Sequence, residues 1–300
     1  MDGDEFIRKH NVPIKIMQNM DKYGIKPEHK PCFAAAFANS FEFLKHSIVK
    51  YNFPTYNGIC NTFAFHGNLQ ALKWLRDRGE PWDMNCVSNA VISNDLQTVA
   101  YAIENGCPIN DDILLMAINK HVSIKIIEYL YESPHVKKYN NIVAYVCLHG
   151  DGDGVSLKYI WDRCKESIHI TSKLFCVMQM KAYTNESELN TSILNEMLQQ
   201  MKQVDKTEDA YIPVIKMDKY NNLSKLFNAG FPLSTYLFYV AVHYNNYYAF
   251  NWIMLHELNH TCDSFAIVLA ARHNSLRLLK LLAKFDMQWN NSILSGLCSK

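Results

Sequence analysis

Nowhere in the 300 residues is there a C-x-x-C pair, a run of five lysines and arginines, or an apolar stretch long enough to cross a bilayer. Each absence excludes a class. Without paired cysteines there is no zinc ribbon and no disulfide frame. The nine cysteines are odd in number and scattered, as expected of buried free thiols in a reducing compartment. Lys+Arg 30 against Asp+Glu 29 leave no field to gather nucleic acid or an anionic membrane, so neither is expected as a partner. The most apolar run, Tyr236 to Val242, is far short of the roughly 20 residues a spanning helix needs. The opening MDGDEFIRKHNVP is acidic and has no apolar h-region, so no signal peptide is expected. No Ser-His-Asp or Cys-His signature is present.

What the chain does have is a period. Residues 60–83 read CNTFAFHGNLQALKWLRDRGEPWD, residues 86–110 read CVSNAVISNDLQTVAYAIENGCPIN, and residues 266–290 read AIVLAARHNSLRLLKLLAKFDMQWN. Each is a short apolar helix around a small residue, a Gly/Asn/His turn, a second helix with apolar residues at every third position, and a break. Alanine marks the first helix at Ala36, Ala64, Ala90, Ala117, Ala144, Ala241 and Ala270. An apolar anchor marks the second at Leu44, Leu72, Val99, Ile127, Leu157, Leu223, Phe250 and Leu279. Pro54, Pro81 and Pro108 recur at a step of 27 in the break. Such helices, under about 12 residues, are marginal alone, so each pair must bury its faces against neighbours. Leu69, Leu72 and Leu75 fall on one such face, as do Leu276, Leu279 and Leu282. Gly67, Asn94, Asn245 and Asn274 are placed to supply the left-handed conformation that ends the first helix.

The expected fold is an all-α solenoid of about nine or ten helix-turn-helix repeats of roughly 28 residues, in one domain over 1–300. Residues 1–30 are an atypical N-terminal cap and 31–165 the regular repeats. Residues 166–210 are an irregular repeat or insertion, and 211–300 are regular repeats with a C-terminal cap.

These residues carry a resemblance. GNLQALKWLRDRGEPWD resembles the second half of an ankyrin repeat, in a variant abundant in large DNA viruses. The likeness is clearest over residues 30–131 and 222–290. The chain departs from the ankyrin pattern in lacking a T-P-L-H opening, and a repeat near 28 residues is too short for the β-hairpin finger. Bare helix pairs with short loops are therefore expected. Length, cysteine usage and degenerate repeats are similar to the multigene-family proteins of African swine fever virus. That resemblance implies a host-range or innate-immunity-modulating factor that binds a host protein in the host cytoplasm. No catalytic residue is carried over, because that family has no catalytic motif to match.

One motif argues for chemistry. HELNH at 256–260 spells H-E-x-x-H, in which two histidines on one helical face bind Zn²⁺ and the glutamate acts as general base. Aligned on the repeats, His256 falls on Arg78, Glu257 on Gly79 and His260 on Trp82, so the motif straddles a helix end, where the i,i+4 geometry is lost. The chain is read as no enzyme, with no metal and no cofactor. A zinc-dependent hydrolase through His256, Glu257 and His260, a metal site that adds Cys262, and a structural assembly component are the alternatives. HGDGDGVSL at 149–157 lacks the EF-hand ligand spacing and the P-loop lysine, and is read as a lengthened turn. TNESELNTS at 184–192 is read as an exposed loop or helix start, with Ser187 or Thr191 as caps. For partner binding the candidates are Glu80, Trp82, Asp83 and Trp289, polar or aromatic residues at equivalent breaks.

Overall fold

The computed structural model describes residues 31–256 and 264–284. These residues form α-helices, short 3₁₀ turns and loops, with no strand among them. The chain divides into two compact units, residues 1–139 and 140–300.

The first unit holds α1 (Pro31–Phe37), α2 (Phe41–Tyr51), α3 (Ile59–Phe65), α4 (Leu69–Asp77), α5 (Met84–Ile92), α6 (Leu96–Glu104), α7 (Ile113–Asn119) and α8 (Ile124–Glu132). Each odd-numbered helix packs on the even-numbered helix that follows, and α1, α3, α5 and α7 pack on one another in sequence. The second unit holds α9 (Ile142–His149), α10 (Val155–Cys164), α11 (Ser172–Asn185), α12 (Glu188–Gln200), α13 (Tyr211–Lys216), α14 (Leu223–Asn228), α15 (Tyr236–His243), α16 (Tyr247–His256), α17 (Ser264–Arg272) and α18 (Leu276–Lys284). Its odd-numbered helices also pack in sequence, α9 on α11 through to α15 on α17.

The anchors explain the packing. Leu44, Leu72, Val99, Ile127, Leu157, Leu223 and Phe250 are all buried. Fully burying one such side chain stabilises by about 1.5–3 kcal/mol. Two expectations need correction. In α18 the buried residues are Leu278, Leu281 and Leu282, while Leu276 is 63% exposed and Leu279 half-buried. The face of α18 is thus centred on Leu278, Leu281 and Leu282, where α4 buries Ala71, Leu72 and Leu75. In α9 the buried set is Ile142, Val143, Val146 and Cys147, so Ala144 falls to the side, half-buried.

The turns follow one scheme. Asn39, Gly67, Asn94 and His121 in the first unit, and Asp218, Asn245 and Asn274 in the second, all take positive φ. Each closes the first helix of its pair. At Gly67 the pattern is complete: its N–H donates to Ala64 O, and the next N–H, of Asn68, donates to Phe63 O. Asn52, Gly79, Gly106 and Gly230 do the same at the ends of second helices. Pro54, Pro81, Pro108 and Pro232 follow in non-helical segments.

The left-handed polar residues also join consecutive pairs. Asn39 Oδ1 accepts from Asn68 Nδ2 (2.8 Å), Asn94 Oδ1 from Ser123 N (2.7 Å), and Asp218 Oδ1 from Asn246 Nδ2 (3.0 Å). Asn68 and Asn246 in turn cap α4 and α16 by accepting from Ala71 N (3.0 Å) and Ala249 N (2.9 Å). One residue thus ends a helix and docks the cap of the next pair.

The Gly/Asp loop is a turn built from caps. Asp151 Oδ2 accepts from Ser156 N (3.1 Å) and Ser156 Oγ (2.7 Å), and Asp153 Oδ1 accepts from Val155 N (3.0 Å). Gly154 sits at φ +85, where an added Cβ would run into Asn190 Oδ1. Asn190 is fully buried and donates to Gly152 O (3.3 Å), so it has no room to swing aside. Gly79, at φ +82, has open space instead. Gly79→Ala is expected to cost about 1 kcal/mol through backbone strain alone, and Gly154→Ala about 2–3 kcal/mol. Urea unfolding midpoints of the two variants check this. Equal losses would mean that Asn190 yields.

Candidate partner-binding surface

The residues expected at the breaks are tied into the fold. Glu80 Oε2 accepts from Thr55 Oγ1 (2.8 Å), and Glu80 O accepts from the guanidinium of Arg76. That guanidinium also lies 4.1 Å from the centre of the Trp82 ring, whose edge meets Tyr101 at 6.1 Å. Trp82 is half-buried between them. Asp83 caps α5, accepting from Asn85 N (2.8 Å), and bonds Asn61 Nδ2 (3.0 Å) on α3. Glu80, Trp82 and Asp83 therefore form a joint between neighbouring helix pairs. Trp289 lies outside the described residues.

His256 is the last residue of α16. Its ring stacks on Trp252 (4.0 Å, 22°), and its Nδ1 lies 2.8 Å from Trp252 O. Glu257, His260 and Cys262 lie outside the described residues, so the H-E-x-x-H geometry does too. Among the described residues no group of three or more His, Cys, Asp or Glu is placed to hold a metal ion.

The seven described cysteines are free thiols. Burial pushes Cys32 up to about 11 and Cys60 and Cys147 up to about 12. Those three are uncharged at neutral pH and are poor nucleophiles. Cys107 Sγ donates to Asp83 O at 3.2 Å, a packing contact within the same joint.

Ser187 does cap α12, its hydroxyl accepting from Asn190 N, whereas Thr191 lies inside that helix. Leu194, Met197 and Met201, spaced along one face at α12 and just after it, are buried, while Leu198 is half-buried. The aromatic-rich residues 236–253 are part core and part surface. Leu237, Phe238, Phe250 and Ile253 are buried, while Tyr236, Tyr244 and Tyr248 are exposed. Tyr248 stacks on Tyr220 (5.4 Å), and Arg277 lies 5.1 Å over Tyr247.

A surface that the sequence reading did not single out lies on the first unit. Phe37, Phe65 and Ile92 are the last residues of α1, α3 and α5, helices that pack side by side. They are 51%, 49% and 40% exposed. Phe33 braces Phe37 (4.3 Å) and meets Tyr56 (5.2 Å). The equivalent residue of α7 is Asn119, exposed and polar, so the apolar ladder stops there. It lies at the end of α5 opposite Asp83, about 13 Å away along nine helical residues. Single exposed apolar residues need no explanation, but their repetition at one register position on neighbouring helices makes a candidate contact surface. The missed signal was available in the period: apolar residues at steps of 28 and 27, immediately before a turn residue, where a solvated helix end carries polar ones. No protein-family model matches the chain, and no curated protein matches it.

Proposed function

We propose that the chain is a protein-binding module, built as a solenoid of about nine or ten short helix-turn-helix repeats, that acts by occupying a partner protein. The single observation behind this reading is the row of Phe37, Phe65 and Ile92 on consecutive first helices, apolar area left open to solvent. Fully burying the exposed half of each is worth about 1 kcal/mol, so together they contribute roughly 3 kcal/mol, a factor on the order of 100 in affinity. The joint at Glu80, Trp82 and Asp83 holds neighbouring pairs at a fixed spacing and so keeps the row in register. The resemblance to viral host-range proteins makes the partner a host protein and the setting the cytoplasm of a host cell. On this reading the mechanism is steric: the partner is blocked or redirected, and no bond is made or broken.

The test is a tagged pull-down from host cells at physiological salt, read by mass spectrometry. Phe65→Glu is expected to lower recovery of a near-stoichiometric partner at least tenfold. Its melting temperature should stay close to that of the unaltered chain, since a surface change of this kind costs about 0.5 kcal/mol or less. Equal recovery with Phe65→Glu and with Ile92→Glu would remove the ladder from the argument. No partner above background would count against the binding reading itself.

A further inference from the structure

In the first unit, α1, α3 and α5 each carry a cysteine near their start: Cys32, Cys60 and Cys86. The sulfur faces the residue that precedes the proline of its own break. Cys32 Sγ lies 3.9 Å from Phe53 O, ahead of Pro54, and Cys60 Sγ lies 4.0 Å from Glu80 O, ahead of Pro81. In the third pair the residue ahead of the proline, Pro108, is Cys107. The period therefore sets a thiol against a thiol, and Cys86 and Cys107 lie within hydrogen-bond reach of each other.

The backbone places them together as well. Cys107 Sγ donates to Asp83 O at 3.2 Å, and Cys86 N donates to the same oxygen at 2.9 Å. The Cys107 sulfur thus sits on the first turn of α5, the turn that holds Cys86. Two thiols can be bridged when their side chains converge in this way, and not when they point apart.

The two thiols are not alike. Cys86 is 0% exposed, whereas Cys107 keeps 4% of its surface open in the non-helical segment between Gly106 and Pro108. The hydrogen bond from Cys86, aided by the Val87 N–H, outweighs burial and holds the Cys107 thiol below the ordinary cysteine range. The same hydrogen bond, and then burial, pushes Cys86 up. The thiolate is the nucleophile, so Cys107 is the group that meets an oxidant and Cys86 the one that resolves it.

We propose that Cys86 and Cys107 form an oxidation site, which hydrogen peroxide closes into a reversible disulfide. The Cys107 sulfur attacks one peroxide oxygen and breaks the O–O bond. A sulfenic acid remains, and the departing hydroxide takes the thiol's proton and leaves as water. The Cys86 sulfur then attacks the sulfenic sulfur, and its proton leaves with the hydroxyl as a second water. The two thiols lose two electrons and two protons, and the peroxide gains them. The bond ties the first turn of α5 to the segment after α6, so that pair cannot splay. The site is independent of the ladder, so each proposal can fail alone.

The test uses the full-length chain, reduced, freed of reductant and treated with equimolar hydrogen peroxide at pH 7. It is then denatured in iodoacetamide and digested with trypsin. Residues 79–120 hold no lysine or arginine before Lys120, so both thiols fall in one tryptic peptide. That peptide is expected to lose both alkylations and to be lighter by two hydrogens than its reduced form. The peptides of Cys60 and Cys147 should stay alkylated. Dithiothreitol before alkylation should restore both labels. The same treatment in urea should spread bridges over the nine cysteines. Cys86→Ser should leave Cys107 as a sulfenic acid that dimedone captures, and Cys60→Ser should leave the pairing intact, with circular dichroism showing that both variants are folded. The proposal is overturned if the peptide of the unaltered chain is alkylated as fully as that of Cys147, or if the bridge forms equally well in urea. Loss of the bridge in folded Cys60→Ser, or no capture at Cys107 in folded Cys86→Ser, would overturn it too.

Discussion

Leu72→Asp is expected to unfold the first unit. Leu72 is 0% exposed at the centre of α4, with Ala71 and Leu75 buried beside it. Removing the leucine side chain alone costs about 2–5 kcal/mol. The aspartate adds a carboxylate that must either stay charged in an apolar site or take up a proton there, a further penalty of several kcal/mol. The sum reaches the whole stability of an ordinary domain, about 5–15 kcal/mol. Arg76, one turn further along α4, is engaged with Trp82 and Glu80 O. Hydrogen exchange at pH 7 is the measurement: amides of α3 to α6 in Leu72→Asp should exchange at unfolded rates. Leu72→Met conserves volume and is expected to cost less than about 1.5 kcal/mol, keeping those amides protected. Protection retained in Leu72→Asp would mean that α4 does not hold its neighbours together, and the account of the packing given above would be wrong.

The period was legible because backbone geometry demands it. A helix that must stop and turn back needs positive φ, and few residues accept it, so Gly67, Asn94, Asn245 and Asn274 could be placed from the residue types alone. His121 and Asp218 take the same conformation, which their residue types accept less readily than glycine or asparagine. Their positions follow from spacing, not chemistry. Sequence also treated Gly and Asn at this position as equivalent, and the structure separates them. Asn39 and Asn94 reach across to the next pair, whereas a Cβ at Gly67 would press on Asp95 Cβ at 3.2 Å, so the neighbour fills that slot. The choice depends on the adjacent pair and is invisible within one repeat.

The α18 stripe was misread for a related reason. Leu276, Leu278, Leu279, Leu281 and Leu282 offer two acceptable faces, and packing against the neighbouring helices decides between them. Of the candidate surface, the sequence located the breaks, because Trp and Pro are conspicuous there. It could not tell a joint from a contact, since that depends on whether Arg76 folds over Trp82. The ladder recurs in the sequence at steps of 28 and 27, but whether those helix ends are exposed depends on their neighbours and is invisible within one repeat.

The second large effect is expected at Trp161, a side chain of the second unit that is 0% exposed. Trp161→Ala should cost about 3–5 kcal/mol through lost burial and the cavity left behind. The indole also makes a specific bond. Trp161 Nε1 donates to Glu196 Oε2 at 2.9 Å, tying α10 to α12. The same carboxylate meets Lys165 Nζ at 3.3 Å and, through Oε1, Lys158 Nζ at 3.4 Å. The indole bond and then the two lysines hold the Glu196 carboxyl below the ordinary glutamate range. A depressed carboxyl stabilises the fold above its unfolded value, about 4.3, and that stability is lost as the pH falls through the folded value. Trp161→Phe keeps most of the burial and removes the donor, so at neutral pH it should cost about 1 kcal/mol beyond the small volume change. That difference from the unaltered chain should shrink as the pH is lowered from about 6 to about 3, because a protonated Glu196 is a weaker acceptor and no longer holds the lysines. Urea unfolding followed by far-ultraviolet circular dichroism at several pH values separates the two contributions. A Trp161→Phe penalty that is constant with pH would assign the loss to packing alone and leave Glu196 a surface residue with no part in joining the helices.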